Sequence, residues 1–497
     1  MDQAIKALQK LKVIDRMEIG PVYLEKNRLR SKYKIIQGKN EDSTTLEYRY
    51  EEKVFLPDEL ESINLANMIG AQVAINYGLF CKEIVFHGYF DVLDQTFILN
   101  MAANTAQEIY VKKFLEYNPF LKETVSGLSP VKLDNYLQAS INFTENYQQT
   151  NSHWKVDNSS YCILSSGGKD SLLSYSLLKE LGYETHPIFV NESGRHWFTA
   201  LNAYRYFKNQ YNETARVWTN SDRIFAWMLR HLPFIKTNFS QIRSDEYPIR
   251  LWTVAVFLFG VLPILRKRGI RHLIIGDEFD TTRYVNFKGI PHYDGLFDQS
   301  RYFDNDMTRF FIQKDWNIRQ FSILRPLSEM LIQKILATRY HDHLKQQMSC
   351  HAAHIQGDRV YPCGYCEKCR RIVGMLKAID IDPSNCGYND QQVTNCLNAI
   401  SEKGVYQEQE GAKHLIYLLT QKHLINNLIN VKSYNEIMKL RIDAEASPIH
   451  DIPEKLREPL YKIFLEYAEG ALKKEKMDWI EFDIFSSPDM LKPYPFH

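Results

Sequence analysis

Two groups of residues have the types and spacing needed for chemistry, and the first is a glycine-rich turn at residues 165–171. The turn reads SSGGKDS and directly follows the short apolar run from Tyr161 to Leu164. A helical pattern of apolar residues begins directly after it, at Leu172. Adjacent glycines let a backbone approach an anion closely, and the first N–H groups of a helix point towards it. The sequence therefore predicts a phosphate-binding loop between a strand and a helix.

The spacing of this turn distinguishes it from two other phosphate loops. A Walker A loop is longer and places its lysine directly before the final hydroxyl, and the dinucleotide loop reads GxGxxG. The residues SGGKDS instead resemble the PP-loop of the ATP pyrophosphatases, enzymes that cleave ATP between its α and β phosphates. The alternative interpretation is an ordinary strand-to-helix turn rich in small residues.

The second group is a set of cysteines close together near residue 360. Four of the eight cysteines follow the pattern C-x12-C-x2-C-x2-C, at Cys350, Cys363, Cys366 and Cys369. Four thiolates at such spacing can complete a tetrahedral shell around one ion, as structural zinc prefers. An iron–sulfur cluster is the alternative, because it also accepts four thiolates. With four sulfurs bound, the ion would have no open position, so we expect a structural role near the predicted nucleotide site.

The elements around the glycine turn alternate between strand and helix patterns. Apolar strands are predicted at His186 to Val190, Thr214 to Trp218 and His272 to Ile275, with a helix from Trp197 to Gln210. This alternation is typical of an α/β fold, a Rossmann-like parallel sheet with covering helices. Ligands bind at the carboxyl ends of such strands, and here those ends read SSGGKD, NESGRH and GDEFD. The sequence therefore predicts a nucleotide site at one edge of the sheet.

The remaining chain divides into three predicted domains. Residues 1–145 read as an α+β domain, with strand patterns at Val22 to Ile36 and Thr45 to Phe55 and a helix from Pro57 to Phe80. Residues 160–380 form the predicted nucleotide domain, and residues 381–497 read as a mainly helical C-terminal region. The polar stretch from Asn142 to Ser160 is the predicted boundary after the first domain.

Composition limits the classes of partner. The chain has 61 basic and 60 acidic residues, so it does not have the overall charge of a nucleic-acid binder. The first 20 residues contain no apolar signal segment, and the longest apolar run, Leu251 to Leu265, is shorter than a membrane span. We expect a soluble, cytoplasmic protein with no membrane partner.

Together, the loop and the cysteines resemble the QueC family, the 7-cyano-7-deazaguanine synthases. The resemblance covers about residues 161–375 and is carried by SGGKDS, by SGRHW at Ser193 to Trp197, and by CGYCEKCRR at Cys363 to Arg371. It implies a domain of the adenine nucleotide alpha hydrolase (HUP) type with a four-cysteine zinc site. It also implies a ligase that adenylates 7-carboxy-7-deazaguanine with release of pyrophosphate and forms a bond from the carboxyl carbon to an amine nitrogen.

The resemblance also assigns residues to roles. Those implied to bind ATP are Ser165, Ser166, Gly167, Gly168, Lys169, Asp170, Ser171, Val190, Gly276 and Asp277. Those implied to be catalytic are Lys169, Asp170, Ser171, Arg195 and Asp280. Those implied to bind the substrate are Arg195, His196 and Arg250. Leu251 stands where the family has Asn, so the sequence departs from the family pattern on the side that recognises the base.

The implied cofactors are ATP, Mg²⁺ and structural Zn²⁺, whereas the identity of the amine stays open. With ammonia the product would be 7-cyano-7-deazaguanine or an amide. QueC-like proteins with extra domains occur in bacterial anti-phage defence gene sets, which implies an alternative in which a deazaguanine is joined to the amine of a partner protein. The N-terminal domain or the C-terminal region would then contact that partner. A tRNA-thiolating enzyme with an iron–sulfur cluster and a non-catalytic nucleotide sensor are two further alternatives.

Overall fold

A computed structural model describes residues 2–125, 128–145, 147, 152–194, 197–242, 247–293, 296–350, 352–405, 409–426, 431–476 and 478–496. Within these residues the strands are β1 (Ile14–Glu25), β2 (Arg28–Gln37), β3 (Asn40–Tyr50), β4 (Cys81–Phe86), β5 (Ser140–Phe143), β6 (Asp157–Ser165), β7 (Glu184–Glu192), β8 (Ala215–Thr219), β9 (Ile270–Ile274), β10 (Tyr284–Phe287), β11 (Ile290–Tyr293), β12 (Arg319–Phe321), β13 (His354–Gln356), β14 (Arg359–Tyr361), β15 (Leu440–Ile442), β16 (Ala471–Glu475) and β17 (Asp478–Glu481).

The helices of the same residues are α1 (Asp2–Gln9), α2 (Leu60–Ala71), α3 (Val92–Ile109), α4 (Lys169–Glu180), α5 (Trp197–Gln210), α6 (Ser221–Arg230), α7 (Val254–Arg268), α8 (Arg301–Gln313), α9 (Glu329–Arg339), α10 (His341–Leu344), α11 (Glu367–Ala378), α12 (Asp390–Lys403), α13 (Gln409–Gln421) and α14 (Glu454–Leu465). None of these helices combines the length and the apolar character needed to cross a membrane.

A ten-stranded, mostly parallel sheet forms the centre of this mixed α/β fold. Its strand order is β12-β9-β6-β7-β8-β3-β2-β1-β4-β5. The five strands from β12 to β8 are all parallel to their neighbours. We number these five strands by their order in the chain, from β6 as 1 to β12 as 5. Read across the sheet from β8 to β12, the order is 3-2-1-4-5, which is the order of a Rossmann-like sheet. The strand order reverses between β6 and β9, so a crevice is expected at their carboxyl ends.

The first strands of the chain continue this sheet. β3 pairs antiparallel with β8, and β2 and β1 extend the sheet beyond β3. The Tyr48 and Tyr50 hydroxyls donate hydrogen bonds to the carbonyls of Val256 and Gly260 on α7, at 3.1 and 2.9 Å. The 1–145 segment therefore shares a sheet and a core with the nucleotide-type strands. The division into domains stays a prediction.

Several predicted elements differ in detail from the structure. The predicted strand at Val22 to Ile36 is a hairpin, because the chain turns between β1 and β2. The predicted helix from Pro57 to Phe80 consists of α2 followed by a 3-10 segment, Gln72–Tyr77. The C-terminal region contains helices α12, α13 and α14 as expected, but also a three-stranded sheet of β15, β16 and β17. The predicted helix Trp197–Gln210 is α5 with the same bounds.

Candidate nucleotide and metal site

The glycine turn joins the central strand β6 to helix α4. β6 ends at Ser165, and Gly168 precedes the first residue of α4. Gly167 has a φ of +74°, and a Cβ at this position would lie 2.7 Å from the carbonyl oxygen of Thr199. Only glycine fits both the left-handed backbone and the close approach of α5. The predicted strand, turn and helix start are therefore confirmed.

Hydroxyl groups within the turn hold its shape. Ser165 Oγ and Ser171 Oγ are 3.2 Å apart, and Ser171 Oγ donates to the carbonyl of Gly168 at 3.2 Å. The backbone N–H of Gly167 donates to Ser165 Oγ at 3.4 Å. No side chain among the described residues caps the start of α4. The first N–H groups of this helix are therefore available to an anion.

The carboxyl end of β9 meets the start of α4. A Cβ on Gly276 would lie 2.7 Å from the Cβ of Asp170 and 3.2 Å from the N atom of Ser171. A larger residue at position 276 would push the two segments apart. The reversal point of the sheet therefore brings together the predicted residues of the SGGKDS and GDEFD segments.

Lys169 lies among three carboxylates rather than in solvent. Its Nζ is 2.7 Å from Asp170 Oδ1, 3.1 Å from Glu329 Oε1 and 3.5 Å from Glu278 Oε2. The residue is only 6% exposed. Burial acts to lower the pKa of Lys169, but the three carboxylates outweigh it and raise that pKa above its usual value. Lys169 is therefore a cation at neutral pH.

The carboxylates around Lys169 differ in their affinity for protons. Burial raises the pKa of Glu278 to about 8, although Lys169 opposes the shift. Burial also acts to raise the pKa of Glu329, but Arg371 and Lys169 outweigh it, so this pKa lies below its usual value. Neither contact with Lys169 was predicted from the sequence. Glu278 lies in the GDEFD segment but was not singled out there, and Glu329, the first residue of α9, belongs to no motif.

Asp277 and Asp280, two other predicted site residues, contact arginines. Arg325 Nη2 lies 3.5 Å from Asp277 Oδ2 and 2.6 Å from Asp304 Oδ2. Burial raises the pKa of Asp277, although Arg325 opposes the shift. Asp280 Oδ2 lies 2.8 Å from Arg441 Nη2 of β15. The C-terminal region therefore supplies a buried cation at the edge of the predicted nucleotide site, which the sequence did not predict.

Arg250 is buried beside the carboxyl end of β7. Its Nη1 is 3.3 Å from Glu192 Oε1, and its guanidinium lies 4.1 Å from the ring centroid of Tyr247. Val190 lies two residues before Glu192 in β7, so both side chains are on the same face of the sheet. The predicted residues Arg195 and His196 lie outside the described residues. The predicted substrate role of Arg250 stays a prediction.

The four predicted cysteines converge on one point. Their sulfur atoms all lie within 4.8 Å of one another. The separations of Cys366 Sγ from Cys369 Sγ and Cys350 Sγ are 3.5 and 3.9 Å, and Cys363 Sγ lies 3.8 Å from Cys369 Sγ. A tetrahedron with zinc–sulfur bonds of about 2.3 Å has edges of roughly 3.8 Å. The sulfur positions therefore fit a single ion such as zinc.

The cysteine cluster is connected to the glycine turn in two ways. The backbone N–H of Met348, two residues before Cys350, donates to the carbonyl of Gly167 at 3.2 Å. Arg371, two residues after Cys369, places its Nε 3.3 Å from Glu329 Oε1, the carboxylate that binds Lys169. Holding the cluster together therefore fixes a backbone contact and a charged contact of the loop.

Together the loop, the carboxylates and the metal cluster form one candidate site at the reversal point of the sheet. Its N–H groups suit an anion, and the cysteines are positioned to hold a metal ion such as zinc. No protein-family model matches the chain, and no curated protein matches it, so the assignment of this site rests on its geometry.

Proposed function

We propose that the protein is an ATP-dependent ligase with a domain of the adenine nucleotide alpha hydrolase (HUP) type. It adenylates a carboxylate, best represented by 7-carboxy-7-deazaguanine, releases pyrophosphate and transfers the acyl group to an amine nitrogen. The observation that carries the proposal is the position of the SGGKDS loop, at the carboxyl end of β6 where the strand order reverses. Gly276 and Asp170 are in contact there, so the loop and the second strand end can bind one ligand.

The chemistry required of the residues is positioning and charge stabilisation. The N–H groups at the start of α4 would donate to the phosphates of ATP, and the Ser165 and Ser171 hydroxyls would hold the loop in shape. Asp170, whose carboxylate lies beside the loop, would hold Mg²⁺, which would neutralise charge on the phosphates when it is bound. The carboxylate oxygen attacks the α phosphorus, and the bond from that phosphorus to the bridging oxygen of pyrophosphate breaks.

The second step needs an amine with a free lone pair. The amine nitrogen attacks the carboxyl carbon of the adenylate, and AMP leaves with the oxygen that joined it to that carbon. The product is an amide, and no residue of the protein forms a covalent bond. With ammonia, a second activation of the amide by ATP would give the nitrile.

Acceptor-dependent exchange of labelled pyrophosphate into ATP tests the first step directly. We expect exchange with 7-carboxy-7-deazaguanine and loss of at least a hundredfold in an Asp170→Asn variant, because this change removes a charge beside the loop. Asp157→Asn, at the opposite end of β6, is a matched control that should keep the wild-type rate. If no carboxylate supports exchange or AMP release and Asp170→Asn equals the wild type, the proposal is wrong.

The identity of the amine is read from the product mass. Incubation with ammonia is expected to yield the amide or nitrile of the deazaguanine if the amine is a small molecule. A mass increase of a partner protein, in the presence of ATP and the same carboxylate, would instead identify a protein amine. Metal analysis complements this test, because one zinc per chain agrees with the proposal and a stoichiometric iron content would favour thiolation chemistry.

A further inference from the structure

A cationic pocket lies at the opposite end of the central sheet from the glycine turn. It encloses about 350 Å³ where β6, β9 and β12 begin, and its lining includes Asn158, Arg271, His272, Arg319, Glu454 and Lys455. Asn158 and Ser165 are seven positions apart in β6, which is about 23 Å at roughly 3.3 Å per residue. The pocket is therefore separate from the candidate nucleotide site.

Contacts to backbone carbonyls hold two of the three cations of this pocket in place. Lys455 Nζ, at the start of α14, donates to the Asn158 carbonyl at 2.8 Å, and His272 Nε2 lies 3.2 Å from the same oxygen. Arg319 is the direct partner of His272 in the parallel pair β9–β12, and its Nε donates to the Phe496 carbonyl at 2.6 Å. The starts of two strands and one helix therefore bring these cations together.

The positive charge of the pocket exceeds its negative charge. Among the described residues, no carboxylate lies within ion-pair distance of Arg271 or Lys455. Glu454 is the one carboxylate in the described lining, and its Oε1 accepts a hydrogen bond from the backbone N–H of Tyr494 at 2.7 Å. Burial and the like charge of Arg271 lower the pKa of Arg319 to about 10. A bound anion would reduce this repulsion between like charges.

A second basic pocket, at the end of α7, shows how the chain neutralises cations elsewhere. That pocket encloses about 400 Å³ and includes the last three residues of the helix. Arg266 Nη2 lies 2.8 Å from Glu61 Oε2, and Lys267 Nζ lies 2.9 Å from Glu52 Oε2. Arg268 also forms an ion pair with Glu52. These three cations have carboxylate partners within the chain, whereas Arg271 and Lys455 are available to a ligand.

We propose that the pocket between β6, β9, β12 and α14 binds a small anion with a phosphate or diphosphate group. Three cations and one carboxylate leave two positive charges, which suits a phosphate group of about −1.5 to −2 at pH 7 better than a single carboxylate. The Arg271 guanidinium donates to the phosphate oxygens, and Lys455 and the buried Arg319 add positive charge. Small-molecule sites enclose about 300–1,000 Å³, so this volume suits a metabolite-sized ligand.

Isothermal titration of the full-length protein with inorganic phosphate and, separately, with pyrophosphate tests this site. We expect Arg271→Gln and Lys455→Gln each to raise the Kd of the tighter-binding anion at least about tenfold, because each removes a charge-assisted contact. The matched control is Lys462→Gln, which removes the same charge from an exposed position of α14. The control should keep the Kd within about twofold of wild type, since exposed charges are screened by salt.

Hydrogen exchange measured by mass spectrometry distinguishes this pocket from the loop, which could also bind pyrophosphate. We expect the anion to slow exchange at residues 452–458 and 488–496. Arg271→Gln should remove that protection and leave any protection of residues 165–171 unchanged.

Three results would overturn the inference. The first is a wild-type Kd above about 1 mM for both anions, which is too weak for a specific site. The second is a Kd in both Arg271→Gln and Lys455→Gln equal to that of Lys462→Gln, and the third is protection confined to residues 165–171. Failure of the ligase proposal would leave this site unaffected, because its residues lie at the other end of β6.

Discussion

Replacement of Lys169 by methionine tests whether the carboxylates at the loop depend on one buried cation. Lys169 contacts Asp170, Glu278 and Glu329, and its side chain is almost completely buried. Methionine keeps a similar length but leaves these carboxylates without the cation. Removing one partner of a buried ion pair costs about 3–5 kcal/mol, because the remaining charge is uncompensated. We expect Lys169→Met to lose at least about 3 kcal/mol of folding free energy at pH 7.

The loss of folding free energy in the Lys169→Met variant should grow with pH. The pKa of Glu278 is raised to about 8 in the folded protein, so its contribution to stability is present below pH 4.5 and lost as the pH rises to 8. Without Lys169, which opposes this shift, the pKa of Glu278 rises further. In the variant, Glu278 then continues to lose its proton above pH 8, and the folded state continues to lose stability. In the wild type, the stability loss caused by Glu278 is complete near pH 8. The variant should therefore fall further below the wild type at pH 9 than at pH 7.

Urea unfolding followed by circular dichroism at pH 7 and pH 9 measures both effects. Lys179→Met is the matched control, because Lys179 is an exposed residue of the same helix, with its ammonium 5.4 Å from the Tyr211 ring centroid. The control should keep its urea midpoint within the error of the wild type at both pH values. Equal midpoints for Lys169→Met and Lys179→Met at pH 9 would refute the reasoning, since the three carboxylates would then need no lysine.

Three further predictions concern other buried groups. Cys366→Ser should remove the bound metal and weaken binding of α,β-methylene-ATP, an ATP analogue that cannot be split between its α and β phosphates, at least tenfold, because the cluster supports the loop. Mass spectrometry that finds one zinc per chain in the variant would contradict this prediction. Lys314→Met should lower the free energy of unfolding in urea by about 3–5 kcal/mol, since Lys314 Nζ lies in the core, 2.6 Å from Asp91 Oδ2 and 3.0 Å from Asp94 Oδ1. An unchanged urea midpoint would contradict this prediction. Burial raises the pKa of Glu108 to about 8, so its contribution to stability is lost as the pH rises from about 4.5 to 8. Glu108→Gln should therefore reduce the fall in the thermal unfolding midpoint between pH 6 and pH 9. Parallel plots of this midpoint against pH for the variant and the wild type would contradict the prediction.

The connection between the metal cluster and the loop changes how the two motifs are understood. Gly167 and Cys350 are far apart in the sequence, yet Met348 donates directly to the Gly167 carbonyl. Two ion pairs, from Arg371 to Glu329 and from Glu329 to Lys169, form a second connection between the cluster and the loop. Loss of the metal should therefore affect nucleotide binding before it affects the central sheet, which is what the Cys366→Ser prediction tests.

Much of the site was predictable because its signals are local. Strand, glycine turn and helix start are adjacent in the sequence, so the residues from Ser165 to Ser171 define the loop themselves. The cysteines are equally local, since two of their three spacings are two residues and three thiolates come from one turn and the start of α11. Ligands that are close in the sequence can reach the same ion without contacts between distant parts of the chain, so their spacing alone predicts the site.

The other contacts were decided by the tertiary structure. Glu329 and Arg441 carry no motif, and only the packing of α9 and β15 against the crevice places them beside Lys169 and Asp280. The strand order is equally non-local, because the hydrogen bonds from β3 to β8 join residues that are more than 160 positions apart. Apolar periodicity indicates that a strand is buried but not which strand lies beside it.

The sequence by itself therefore determined the loop, the metal ligands and the alternation of strands and helices. It did so because each depends on residues within one or two turns of one another. Only the tertiary structure decided that Lys169 lies among carboxylates and that the N-terminal strands extend the same sheet. Those features depend on which distant side chains meet when the core is packed, and the cost of burying an unpaired charge is what favours the carboxylates around Lys169.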